Sequence, residues 1–221
     1  VALTKFNFNS FDLTTAASKG LAFNSSANGF ETAAGGSMTL IKTLTISSDT
    51  NVDFVNGSSD VVLDSTYPIY IFKFINIHPS SQGDILRVNF SDDTSSHSYD
   101  LTKTTTMFYA RHDEDGSDGQ LTYSSGTDTA QGTGNQDLVV NINANNDSSA
   151  SGELMLFNPS STTFTKHFMS TVDSDGESDR CFTSYVSGYV NTTAAVTAVR
   201  FTFGGSNIDS GTIKLYGIKD S

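Results

Sequence analysis

Two loops carry dense sets of hard oxygen donors. The first is His112-Asp113-Glu114-Asp115-Gly116-Ser117-Asp118-Gly119, and the second is Asp173-Ser174-Asp175-Gly176-Glu177-Ser178-Asp179. Calcium takes several carboxylate and carbonyl oxygens, and Asp-x-Asp-Gly offers them with a Gly that permits a sharp turn. Asp113, Asp115, Asp118, Asp173, Asp175 and Asp179 are therefore the candidate calcium ligands. Neither loop completes the EF-hand pattern, which needs a later bidentate Glu. Solvated acidic turns are the competing reading. No other cofactor is expected.

Other reactive residues are scattered. His78, His97, His112 and His167 show no i, i+2 or i, i+4 pair, and with a lone cysteine they make no recognisable zinc set. Cys181 excludes an intrachain disulfide and is expected as an inert, half-buried thiol. No Gly-x-Ser-x-Gly elbow is present, so nucleophilic catalysis finds no support. A carboxylate pair for glycoside hydrolysis is a spatial feature that spacing does not reveal. Glu153, before Leu154, reads as the outward position of a strand. The expectation is a protein that is not an enzyme. Tyr99, Tyr109, Tyr123, Tyr185 and Tyr189 are candidates for a sugar-binding or partner surface, against the alternative that they fill the core.

The elements that must position these residues read as strands throughout. The chain has 221 residues, 36% of them hydrophobic, 11% aromatic and only 16% charged. Ser, Thr, Asn and Gly supply the polar surface, which suits strands joined by turns. Sixteen Phe and eight Tyr are enough for a thin two-sheet core. Strand signals fall at 38–47, 52–55, 61–63, 69–77, 85–91, 105–111, 138–142, 152–158, 164–169, 181–185, 196–203 and 211–218. Asn56-Gly57 marks a turn, and Pro79 ends the long apolar run from Ile69. About ten to twelve strands at this spacing predict an all-β fold, a jelly-roll-like antiparallel sandwich over 38–221. Its closing strand is Gly211 to Ile218, where Gly217 would allow a close backbone or aromatic approach. Residues 1–37, with Phe6, Phe8 and Phe11 among small polar residues, read as an extended N-terminal arm with a short strand near Leu21 to Asn24.

A net charge of −12 repels phosphate backbones and anionic membranes, so neither nucleic acid nor a membrane is an expected partner. No apolar stretch reaches transmembrane length. Val1 to Phe6 lack a signal peptide's apolar region, so no standard secretion route is expected.

The ending Ser210-Gly211-Thr212-Ile213-Lys214-Leu215-Tyr216-Gly217-Ile218-Lys219 resembles the last strand of β modules in tailed-bacteriophage virion proteins, marine phages especially. Asp64-Ser65-Thr66-Tyr67 with Tyr70 to Pro79, and Leu86-Arg87-Val88-Asn89-Phe90-Ser91, are similar to other recurrent pieces of that group. The resemblance implies a virion structural protein, a tail-fibre or appendage component involved in host attachment. It implies other virion proteins as partners, a homotrimer, and a host-surface glycan as ligand. Capsid decoration is the alternative, and a glycan hydrolase a weaker one.

Overall fold

A computed structural model describes residues 21–23, 26, 30–32 and 36–219. Its strands in chain order are β1 (Leu21–Phe23), β2 (Phe30–Thr32), β3 (Met38–Asp49), β4 (Asn51–Val55), β5 (Ile69–Pro79), β6 (Arg87–Ser91) and β7 (Lys103–Asp113). They continue as β8 (Gly119–Tyr123), β9 (Gln136–Asp137), β10 (Ala150–Phe157), β11 (Lys166–Gly176), β12 (Arg180–Val190), β13 (Ala198–Thr202) and β14 (Ile208–Ile218). No helix occurs among the described residues, so none is long and apolar enough to cross a membrane.

Twelve strands build an antiparallel sandwich. One sheet has eight strands in the order β3-β14-β5-β10-β11-β12-β7-β8, the other four in the order β4-β13-β6-β9. The chain crosses between sheets from β3 to β4, β4 to β5, β5 to β6, β6 to β7, β8 to β9, β9 to β10, β12 to β13 and β13 to β14. β1 and β2 form a separate antiparallel hairpin, consistent with the short strand expected near Leu21. The expectations for residues 1–20 lie outside the described residues.

The core forms where the inward residues of both sheets meet, as strand alternation requires. Phe201 of β13 is its centre. Its ring meets Phe72 at 5.2 Å, Phe74 at 5.1 Å and Phe54 at 6.2 Å, all edge-on. Edge-on contact sets ring edges against the electron-rich faces. β11 alternates strictly, with Lys166, Phe168, Ser170, Val172 and Ser174 buried and His167, Met169, Thr171, Asp173 and Asp175 exposed.

Two strand expectations are corrected. Val61 to Leu63 is a tight loop: Gly57 N–H donates to Val61 O at 2.9 Å and Leu63 N–H to Asn56 Oδ1 at 2.9 Å. Leu138 to Ile142 is irregular apart from a bridge at Ile142. Its side chains act as a plug, since Leu138, Val139 and Ile142 are all fully buried and two of these are adjacent. Consecutive buried residues break the two-residue period of a half-buried strand.

The closing strand lies inside the large sheet, between β3 and β5. Ile213 and Leu215 are fully buried, and Gly217 continues that face beneath the Tyr67 ring. A Cβ at Gly217 would stand 2.3 Å from Tyr67 Cγ. At the other end Gly211 takes φ +130°, where a side chain would meet Asn76 O at 2.7 Å. Glycine is required there by both backbone and space.

Candidate functional site

The eight-stranded sheet has one face on the core and one in solvent, and the outer face gathers a set of aromatic side chains. Register decides which. β10, β11, β12 and β7 are neighbours, so outward residues line up in rows across them. One row contains Glu153, Thr171, Tyr185 and Phe108, continued by Tyr123 of β8. The next contains Met155, Met169, Ser187 and Thr106. The third contains His167, Tyr189 and Thr104, with Phe157 at its β10 end.

The middle row is the floor of a groove and the outer rows are its walls. Two depressions of about 190 and 560 Å³ share Thr106, Met169 and Ser187 and so run into each other. Phe108 and Tyr185 stack face to face on one wall, 4.9 Å between centroids and 12° between planes. His167 and Tyr189 pair at 6.1 Å on the other. Walls four residues apart along a strand are about 13 Å apart, and four strands give a length of about 14 Å.

The polar groups of the groove are mostly hydroxyls, from Thr104, Thr106, Thr171, Ser187 and Tyr189. Its one carboxylate, Glu153, is paired with Lys73 across the β10–β5 register. Glu153 takes the outward position expected for it, in register with the exposed Thr171. Toward β5, β14 and β3 the same sheet face carries Ile71, Tyr216 and Leu40 in register, with Ile218 beside them and Lys73, Lys214 and Thr43 in the next row.

Three of the five tyrosines singled out in the sequence, Tyr123, Tyr185 and Tyr189, belong to this face. Tyr99 does not: its ring lies 3.9 Å from the Arg200 guanidinium, and burial, then the nearby Asp53 carboxylate, push its hydroxyl up to about 12. Tyr109 pairs with the fully buried Ser184, on the core side of β7, and lies beside Phe182. Phe108, Phe157, His167 and the two methionines were not anticipated as a group. The alternation of β7 already put Phe108 opposite Met107. Only register shows that Phe108 meets Tyr185.

The acidic loops come together at one end of the large sheet, because β7 pairs with β12 through Asp113 and Arg180. A cavity of about 370 Å³ there is lined by Asp113, Glu114, Asp115, Ser178 and Asp179. Of the six candidate ligands, Asp113, Asp115 and Asp179 line it, and Asp118, Asp173 and Asp175 do not. Asp113 accepts from Arg180 Nε at 2.7 Å, and Asp118 is paired with Arg111. Asp115 accepts from Ser117 N–H at 2.8 Å, and the Ser117 hydroxyl, then this amide, hold its carboxyl below the usual range. Asp173 accepts from Thr183 Oγ1 at 2.8 Å, and Asp175 from Ser148 Oγ at 2.7 Å. Among the described residues, no group of three His, Cys, Asp or Glu side chains is placed to hold a metal ion.

The remaining reactive groups stay apart. Cys181 is exposed rather than half-buried as expected, because it faces outward on β12. Its Sγ lies 3.4 Å from Asp173 Oδ1, and desolvation followed by that carboxylate pushes the thiol up. A thiol held protonated is a poor nucleophile. His78 Nε2 lies 3.1 Å from Asn145 O, far in sequence and sheet position from His167.

No protein-family model, curated protein or solved structure matches this chain.

Proposed function

We propose that the chain is a structural protein of a tailed-bacteriophage virion, a non-enzymatic tail-fibre or appendage component that contacts the host surface. The observation that carries this reading is the outer face of the eight-stranded sheet. Among the described residues it is uncovered, built on paired strands, and divided into an aromatic groove and a half that mixes apolar side chains with Lys73 and Lys214. Binding groups fixed on strands hold their geometry better than groups on loops. The apolar patch of that half, around Leu40, Ile71, Tyr216 and Ile218, is suited to burial against neighbouring copies in a homotrimer. Residues 1–37 serve as an attachment arm. The −12 charge keeps nucleic acid and anionic membranes away. The order β3-β14-β5-β10 over β4-β13-β6-β9, with β7–β8 and β11–β12 widening the first sheet, supports a jelly-roll wrapping.

Capsid decoration is the second reading, and β3 favours it. β3 is an edge strand of twelve residues with few charges, able to pair with a strand of a shell protein. Quantitative mass spectrometry of purified particles separates the two. Few copies per particle support an appendage, and copies on the scale of the major shell protein support decoration.

A further inference from the structure

We propose that the groove over β10, β11, β12 and β7 binds a short, neutral oligosaccharide, with Tyr185 as the main stacking residue. The inference rests on the attachment reading above and names the ligand class for that surface.

The walls decide the first requirement. Tyr185 is 39% exposed and Met169 49%, so the Tyr185 face turned away from Phe108 and the thioether are both available beside the hydroxyl-lined floor. A pyranose ring has an apolar C–H face and an edge of hydroxyls. The C–H face packs on an aromatic ring, and the hydroxyls exchange hydrogen bonds with Thr106, Thr171 and Ser187 beside it. A purely aliphatic partner would leave those hydroxyls unpaired.

Charge decides the second. The chain carries twelve excess negative charges, yet the groove holds one carboxylate, neutralised by Lys73. The nearest acidic positions on β11, Asp173 and Asp175, lie beyond the Thr171 row. A cationic ligand finds no free counter-charge in the groove. An acidic glycan meets a negative molecule with no free cation at the floor. A neutral sugar fits both facts. The groove length of about 14 Å accommodates a short segment of chain rather than a single ring.

The test uses the full chain on an array of neutral and acidic oligosaccharides, followed by titration calorimetry with the strongest neutral sugar. The expected result is binding confined to neutral sugars. Tyr185→Ala and Ser187→Arg, each with unchanged circular dichroism and melting, should weaken it about tenfold or more. Lys42→Ala, on β3 away from the groove, should bind as the parent does. No neutral sugar bound, a preference for acidic glycans, or full binding by both groove variants overturns the proposal. So does a self-association of the chain abolished by Tyr185→Ala, which would make the occupant a second copy. A chain found in particles that binds no sugar refutes the ligand alone. A sugar-binding chain absent from particles refutes the attachment reading alone.

Discussion

Two fully buried lysines show how much local chemistry the sandwich tolerates. Lys103 and Lys166 both lie opposite Val190 in the β12 register, pointing inward. Each ammonium is satisfied by backbone oxygens: Lys103 Nζ donates to Gly134 O at 2.7 Å and Leu101 O at 3.0 Å, and Lys166 Nζ to Phe164 O at 2.9 Å and Thr192 O at 3.1 Å. Burial pushes Lys103 down from its ordinary value to about 8 and moves Lys166 in the same direction. The unfolded chain then binds more protons than the folded chain above pH 8, so stability rises with pH there. Cys181, whose thiol is pushed up, acts in the opposite sense from about pH 9. Urea midpoints should therefore rise between pH 8 and 9, and Lys103→Met should flatten that rise. A midpoint that falls across this window in the parent contradicts the burial argument. Gly217 makes the second residue-scale prediction. Gly217→Ala forces a methyl into the Tyr67 ring and should cost about 1–3 kcal/mol in equilibrium unfolding. An unchanged midpoint would mean that Tyr67 gives way freely.

At the scale of elements, alternation alone made most strands legible. β5 and β14 follow from their residues, because one face of each is apolar enough to specify the core side, whereas β11 runs on to Gly176, past its expected end at Met169, with Lys166, Ser170 and Ser174 among its inward residues. The Leu138–Ile142 stretch is apolar in the same way and yet irregular, since it fills the sandwich interior instead of joining a ladder. β9, next to it, is only Gln136 and Asp137, too short to leave a periodic signal. Its position is held by side-chain hydrogen bonds. Gln136 Oε1 accepts from Thr105 Oγ1 at 2.6 Å and Thr129 Oγ1 at 3.0 Å, and Nε2 donates to Thr127 O and Asp137 O, each at 2.8 Å. Gln136 is fully buried, so these bonds tie the 124–137 segment to β7 without help from water. Gln136→Leu leaves hydroxyls and carbonyls unpaired and should cost about 3 kcal/mol. Hydrogen exchange should then speed up across 124–137 before it does in β5. Uniform exchange across both segments would show that the glutamine does not anchor the loop.

At the scale of the whole molecule, the all-β sandwich was legible and the aromatic groove was only partly so. Composition excluded helices, and the turn signals limited strand length. The acidic loops were conspicuous in sequence but are largely occupied by Arg111, Arg180, Ser117 and Ser148 once folded. The groove was inconspicuous, since its residues come from four strands spread between Thr104 and Tyr189. A sheet whose neighbours are distant in sequence assembles its outer face through pairing, and pairing partners leave no mark in single-strand periodicity. The same wide face joins the residue chemistry to the proposed role, since it leaves one region for a ligand and another for neighbouring copies. Quantitative mass spectrometry of purified virions tests that role most directly. The chain should be present at low copy beside the known tail components. Its absence from intact particles would contradict the proposed role.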